Sequence, residues 1–182
     1  LLYEYARKCF DRIETSETLF REPGAYSEYS STQKTQSNFL LKIAYEQCKH
    51  RNILPLHVLD VGCGTGELTL KLAEEFDTAS IMGIDISPDQ IAFAAKRYGE
   101  AGDIHFEVAD VASLEAEQCF DLIFSNATMH WVWDQAAAYR RIASLLTARG
   151  ILAVHQGYKG CYQELREAAE TAYSNLGLSD YF

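Results

Sequence analysis

From residue 57 onward the chain alternates between two patterns of apolar and polar positions. HVLDV (57–61), SIMGID (80–85), IHFEVA (104–109), FDLIFS (120–125) and ILAVHQ (151–156) are short apolar runs bounded by polar or glycine-containing turns. Such runs predict strands. Between them, over 67–76, 88–98 and 134–147, apolar residues recur at the three- and four-residue spacing of amphipathic helices. Ser87 followed by Pro88, and Asp134, are start signals for two of these helices. Strand and helix in strict alternation predict parallel pairing with helices on both faces, an α/β doubly wound sheet.

Upstream the pattern differs. Leu2, Ala6, Cys9, Phe10 and Ile13 predict a helix over 2–14, REPGAYSEYSS (21–31) reads as a loop, and Phe39, Leu40, Ile43, Ala44 and Cys48 mark a helix from 33 to 49. The organisation expected is an amino-terminal helical cap or lid over 1–50 and an α/β core over 51–160. Residues 161–182 are expected to form a carboxyl-terminal helix that begins a cap or the remainder of the domain. The chain begins at Leu1 without a methionine and stops at SDYF directly after a helical pattern, as a fragment of a longer protein would.

Composition narrows the function classes. At 182 residues and 48% hydrophobic, one domain with a sizeable core is expected. A formal net charge of −10 and the lack of any basic run argue against a nucleic-acid partner, which needs clustered Lys and Arg. The five cysteines are odd in number and contain no CxxC pair, so reduced thiols in a cytoplasm are expected rather than disulfides or a zinc site. No apolar run approaches the roughly 18 residues of a membrane span. No metal site is expected.

The chemistry gathers in VLDVGCGTGELTLKL (58–72), where Gly62, Gly64 and Gly66 occupy the first strand-to-helix turn. In an open α/β sheet this turn borders the ligand site. The spacing G-x-G-x-G departs from the dinucleotide fingerprint, and Asp60 just before it would repel a pyrophosphate but favour a cationic ligand. S-adenosylmethionine, with its sulfonium and ammonium, is such a ligand. Asp85, at the end of the second strand, is placed to bond ribose hydroxyls, and Asp110, just past the third, to accept from an adenine amino group. Each acid alone would read as a solvated loop carboxylate; their shared placement at strand ends is the signal.

VLDVGCGTG (58–66), MGIDIS (82–87), FEVADV (106–111), FDLIFSNATMHWV (120–132) and RRIASLLTARGILAV (140–154) together resemble the class I S-adenosylmethionine-dependent methyltransferases, over residues 33–156. The resemblance implies a Rossmann-like methyltransferase sheet in the order 3-2-1-4-5, with S-adenosyl-L-methionine as cofactor. It implies that Asp60, Gly62, Gly64 and Gly66 border the methionine part, that Asp85 holds the ribose, that Ile86 packs on the adenine and that Asp110 with Val111 reads its edge. Asn126 falls beside the methyl-transfer centre. YSEYSSTQKTQSNFLL (26–41) and MHWV (129–132) are similar to segments of small-molecule carboxyl O-methyltransferases, the juvenile hormone acid and trans-aconitate enzymes among them. By that likeness Gln33 and Trp131 hold the carboxylate of a small-molecule acceptor. The family adds two strands after the fifth and this chain ends before them, so the fifth strand is expected as an exposed, association-prone edge.

Methyl transfer from a sulfonium to a carboxylate needs positioning and exclusion of water but no general base. For an alcohol, amine or thiol acceptor, His130 or Tyr29 would be the candidate base. Core or lid packing is the competing reading of Trp131 and Trp133. A module that binds S-adenosylmethionine without transferring anything, and a nicotinamide oxidoreductase, remain as alternatives.

Overall fold

The computed structural model describes residues 31–53, 56–76, 78–99, 103–116 and 119–157, with side chains from residue 36 onward. The helix expected at 2–14, most of the loop at 21–31 and the segment 161–182 lie outside the described residues. The elements follow the order α1 (Ser31–Arg51), β1 (Leu56–Val61), α2 (Glu67–Glu75), β2 (Thr78–Asp85), α3 (Pro88–Tyr98), β3 (Ile104–Val108), β4 (Phe120–Asn126), a 3-10 turn (Met129–Trp131), α4 (Gln135–Leu145) and β5 (Leu146–His155). All strand pairs are parallel, and the sheet runs β3-β2-β1-β4-β5.

The start signals work as local chemistry requires. Ser87 Oγ accepts from the Gln90 N–H at 3.4 Å with Pro88 in the first turn, and Asp134 Oδ1 accepts from the Ala137 N–H at 2.8 Å. Both satisfy donors that a helix start would otherwise leave open. At its far end α1 closes with Asn52 at φ +52°; the Asn52 N–H donates to the Lys49 carbonyl and the Ile53 N–H to the Cys48 carbonyl. This is the Schellman arrangement, and asparagine tolerates the left-handed position it needs.

The sheet separates two apolar layers. On one face Leu56 and Val58 of β1, Leu122 and Phe124 of β4 and Ala153 of β5 pack with Leu41, Ala44 and Cys48 of α1 and Leu72 of α2. On the other, Leu59 and Val61 of β1, Ile84 of β2 and Ile123 of β4 pack with Ala138, Ile142 and Leu145 of α4. Alternate residues of one strand thus belong to different layers. The described part of α1, expected within a cap, is itself a layer of the core.

β5 begins at Leu146, earlier than the predicted 151, and the helix before it is correspondingly shorter. Phe120 pairs with Leu146 but Leu122 pairs with Ile151, so residues 147–150 bulge opposite Asp121. Asp121 fastens this irregularity, accepting from the His57 N–H at 3.0 Å and from Thr147 Oγ1 at 3.1 Å. Of the described cysteines, Cys48 and Cys63 are buried and Cys119 is exposed, all as free thiols. Among the described residues no helix is long and apolar enough to cross a membrane.

Candidate functional site

The glycine turn joins β1 to α2 with Gly62, Gly64 and Gly66 at φ +75°, +52° and +79°, backbone that other residues rarely adopt. Their surroundings differ. A Cβ on Gly62 would fall on the Thr128 side chain, and one on Gly66 would lie 2.9 Å from both Ala94 Cβ and Phe106 Cζ; at Gly64 nothing lies within 4 Å. Gly62 therefore lets the exit of β4 close over the turn, and Gly66 lets α3 and β3 approach it. Gly64 leaves its backbone open on the outside.

Asp85 braces this turn against the start of α3. Its Oδ2 accepts from the Gly64 N–H at 3.1 Å and its Oδ1 from the Ser87 N–H at 2.9 Å. Each oxygen keeps a second lone pair. Because Ser87 gives its N–H to Asp85, Gln90 cannot reach back to complete a capping box, and Gln90 Oε1 is buried without a partner.

Beside Asp85 opens a cleft of about 390 Å³ across the carboxyl ends of β1, β2 and β3. Val61, Ile84 and Val111 form its apolar floor, Asp85, Ile86 and Asp110 a wall, and Thr128, Trp131 and Trp133 the far rim. Ile86 is 70% exposed, an aliphatic surface presented to the opening. Asp110 uses Oδ1 to accept from the Ala112 N–H at 2.8 Å, which fixes its carboxylate at the edge. Among the described residues no Lys or Arg lines the cleft.

Of the residues expected from sequence, the structure brings Gly62, Asp85, Ile86, Asp110, Val111 and Trp131 to this one cleft. Asp60 does not line this cleft. It is 1% exposed, on the face of β1 opposite the cleft floor, and its Oδ2 accepts from Thr69 Oγ1 at 2.7 Å. Burial pushes its carboxyl up to about 7, with the Thr69 bond acting against the shift and the charge of Asp85 adding to it. Gly64 and Gly66 shape the turn without lining the cleft. Asn126 ends β4 outside the cleft wall, with Oδ1 buried and unpartnered. Gln33 lies in the first turn of α1, but its side chain and Tyr29 are outside the described residues. Trp131 is 68% and Trp133 77% exposed, both on the rim, so neither is packed in the core.

The sequence reading passed over Thr128, although the demand of Gly62 for a bare Cα is made by that side chain. It also passed over His155, the last residue of β5, where the strand-end rule alone would have pointed. His130 stacks obliquely on Trp131, ring centroids 5.1 Å apart, and its imidazole pKa is lowered by burial and then by His155. Among the described residues no cluster of three metal-binding side chains occurs.

Comparison with known proteins places this geometry. The chain is 33% identical over 172 residues to malonyl-acyl-carrier-protein O-methyltransferase 1 of Ilyobacter polytropus, covering 94% of this chain and 62% of that one. It is 34% identical over 157 residues to the enzyme of that name from Acetivibrio thermocellus, covering 86% and 54%. Trans-aconitate 2-methyltransferase of Methylobacterium nodulans is 41% identical over 100 residues, 55% of this chain and 38% of that one. The chain thus spans less than two thirds of the length of these relatives. Among solved structures, the N-methyltransferase NodS of Bradyrhizobium japonicum superposes with a TM-score of 0.62 at 20% identity, covering 75% of each chain, which shows a shared fold. The 4+2 cyclase SpnF superposes with a TM-score of 0.53 at 29% identity, covering 63% of this chain and 43% of its own. The profile described as "Methyltransferase domain" matches residues 55–176, more than half of the chain. The strand order, the glycine turn and the cleft beside it accordingly have one common account: this chain belongs to the methyltransferase domain family.

Proposed function

We propose that the protein transfers the methyl group of S-adenosyl-L-methionine to a carboxylate of a small-molecule acceptor. The observation that carries the cofactor reading is the union, in one cleft, of an acid with spare lone pairs at the end of β2 and an exposed aliphatic side chain next to it. Asp85 would hold the ribose hydroxyls, Ile86 and Val111 would sandwich the adenine, and Asp110 would accept from its amino group. The open backbone at Gly64 leaves room for close approach. When bound, the cofactor supplies a methyl group on a sulfonium. A lone pair of the acceptor's carboxylate oxygen forms the new O–CH3 bond as the S–CH3 bond breaks. The bonding pair stays on sulfur, so a carboxylate and a sulfonium become an ester and a thioether with no proton to move.

The acceptor class is supported by two relatives whose names specify malonyl-acyl carrier protein and trans-aconitate, both carrying carboxylates. The free thiols of Cys48, Cys63 and Cys119 fit a reducing compartment such as the cytoplasm. A second reading, a module that uses this fold without methyl transfer, is favoured by the likeness to a cyclase. A radiolabelled-methyl assay across acids from malonate and trans-aconitate to palmitate separates the two: no labelled ester from any acid would sink the proposed reaction.

Asp85→Ala should lower S-adenosylmethionine affinity at least about tenfold by calorimetry, since one or two charge-assisted bonds of roughly 1.5–3 kcal/mol are lost. Unchanged affinity would remove Asp85 from the ribose site. Trp131 and Gln33 are proposed as donors to the acceptor carboxylate. Trp131→Phe keeps most of the ring and deletes the indole N–H, so kcat/KM should fall by about 1–3 kcal/mol, roughly five- to a hundredfold, with cofactor affinity nearly constant. A fall in cofactor affinity of the same size would instead assign Trp131 to the cofactor side.

A further inference from the structure

The carboxyl ends of β4 and β5 carry two buried polar atoms without a hydrogen-bond partner, Asn126 Oδ1 and His155 Nδ1. These residues are register partners on adjacent parallel strands, so their side chains leave the sheet on the same face. That face is the α1 side, because Phe124 and Ala153, two residues earlier on each strand, pack with Leu41 and Ala44. Asn126 and His155 thus form a row across the ends of two strands.

The backbone around this row is held under strain. Ala127 sits at φ +56°, with its N–H donating to the His155 carbonyl at 2.8 Å. A non-glycine residue stays there only where its surroundings enforce it, and such residues gather at functional sites. The turn brings the 3-10 segment beside the exit of β5, where a Cβ on Gly157 would lie 3.9 Å from His130 Cγ.

Buried polar atoms are nearly always paired, and an unpaired one calls for an explanation such as a missing ligand. With no partner to fix it, the Asn126 amide can present either its oxygen or its NH2. The imidazole Nδ1 donates in one tautomer or when charged. We propose that His155, together with Asn126, holds the carboxylate of the methyl acceptor, placing the acceptor over the ends of β4 and β5 on the α1 side. This rests on the carboxylate reading above, with His155 and Asn126 joining Gln33 and Trp131 around the same carboxylate. Donors from uncharged side chains can leave a carboxylate lone pair free to attack, whereas a bidentate arginine ties both oxygens.

The test begins with the acid most readily methylated among malonate, trans-aconitate and palmitate, titrated by calorimetry into the full-length protein saturated with S-adenosylhomocysteine. His155→Phe, which keeps a flat ring without nitrogens, should weaken that acid at least about tenfold, the scale of one lost charge-assisted bond. His155→Gln, which keeps a donor, should recover affinity to within about threefold. S-adenosylhomocysteine affinity should be the same in all three proteins, which also reports that the variants are folded. In a histidine-selective NMR spectrum, the ring resonance missing from His155→Gln should be one that the acid shifts in the parent protein, a readout independent of turnover. Unchanged acid affinity in His155→Phe, or a His155 resonance that the acid does not move, overturns the assignment and leaves the carboxylate reading standing. If none of the acids accepts a methyl group, the carboxylate reading fails and the assignment fails with it.

Discussion

Gly62→Ala is expected to lower the unfolding free energy by about 2–5 kcal/mol. Two costs combine. An alanine at φ +75° bears a left-handed penalty of roughly 1–2 kcal/mol. Its new methyl must also share space with the Thr128 side chain, whose Cβ would be 2.6 Å away, an overpacking that typically costs about 1–3 kcal/mol. The double variant separates them. In a Thr128→Gly background the same substitution should cost only the backbone part, about 1–2 kcal/mol, and urea denaturation of the four proteins gives the coupling directly. An equal cost in both backgrounds would mean that Thr128 is not what requires glycine at 62.

The second large effect is a pH dependence carried by Asp60. Its carboxyl is raised from 3.8 in an unfolded chain to about 7 in the fold, chiefly by burial. An acid whose folded pKa is raised contributes stability that is fully present below the unfolded value and is lost as pH rises toward the folded one. Between about pH 4 and 7 the unfolded chain gives up this proton while the folded protein keeps it. The contribution should therefore decline by roughly 1.4 kcal/mol per pH unit, about 4 kcal/mol in all, and level off above 7. Asp60→Asn lacks the titration. The difference in unfolding free energy between the parent protein and Asp60→Asn, measured from pH 4.5 to 8, should move against the parent as pH rises. A flat difference would show that Asp60 ionises normally in the fold.

Asp60 also illustrates what the sequence could not convey. The five strands and the four described helices were legible because apolar runs, their 3.6-residue counterparts and the residues Ser87 and Asp134 act locally, within a few positions. The positions of Asp85, Ile86 and Asp110 were legible because strand ends in a doubly wound sheet face the ligand site whatever the side chains elsewhere. The face on which a residue lies is a different matter. In LHVLDV nearly every position is buried, so the alternation that would tell Asp60 from Val61 is hidden by strands covered on both sides. Its partner, Thr69, sits on α2 in an otherwise ordinary amphipathic pattern. The early start of β5 was equally hidden, since Leu146 joins the sheet only because Asp121 secures a bulge around itself. For the rim tryptophans two readings competed, since large apolar rings usually signal burial, and here they border an opening.

The two-faced character of the sheet has an evolutionary corollary. The floor of the cleft belongs to the α4 side, through Val61 and Ile84, whereas Asn126 and His155 leave the ends of β4 and β5 on the α1 side. Substitutions that reshape one set need not disturb the other, because neighbouring positions along a strand answer to different layers. If the acceptor is held as proposed, a lineage descending from this chain could drift in acceptor preference by point changes at 126 and 155 while the cleft beside Asp85 stays under constant selection, so new substrates become reachable by single viable steps.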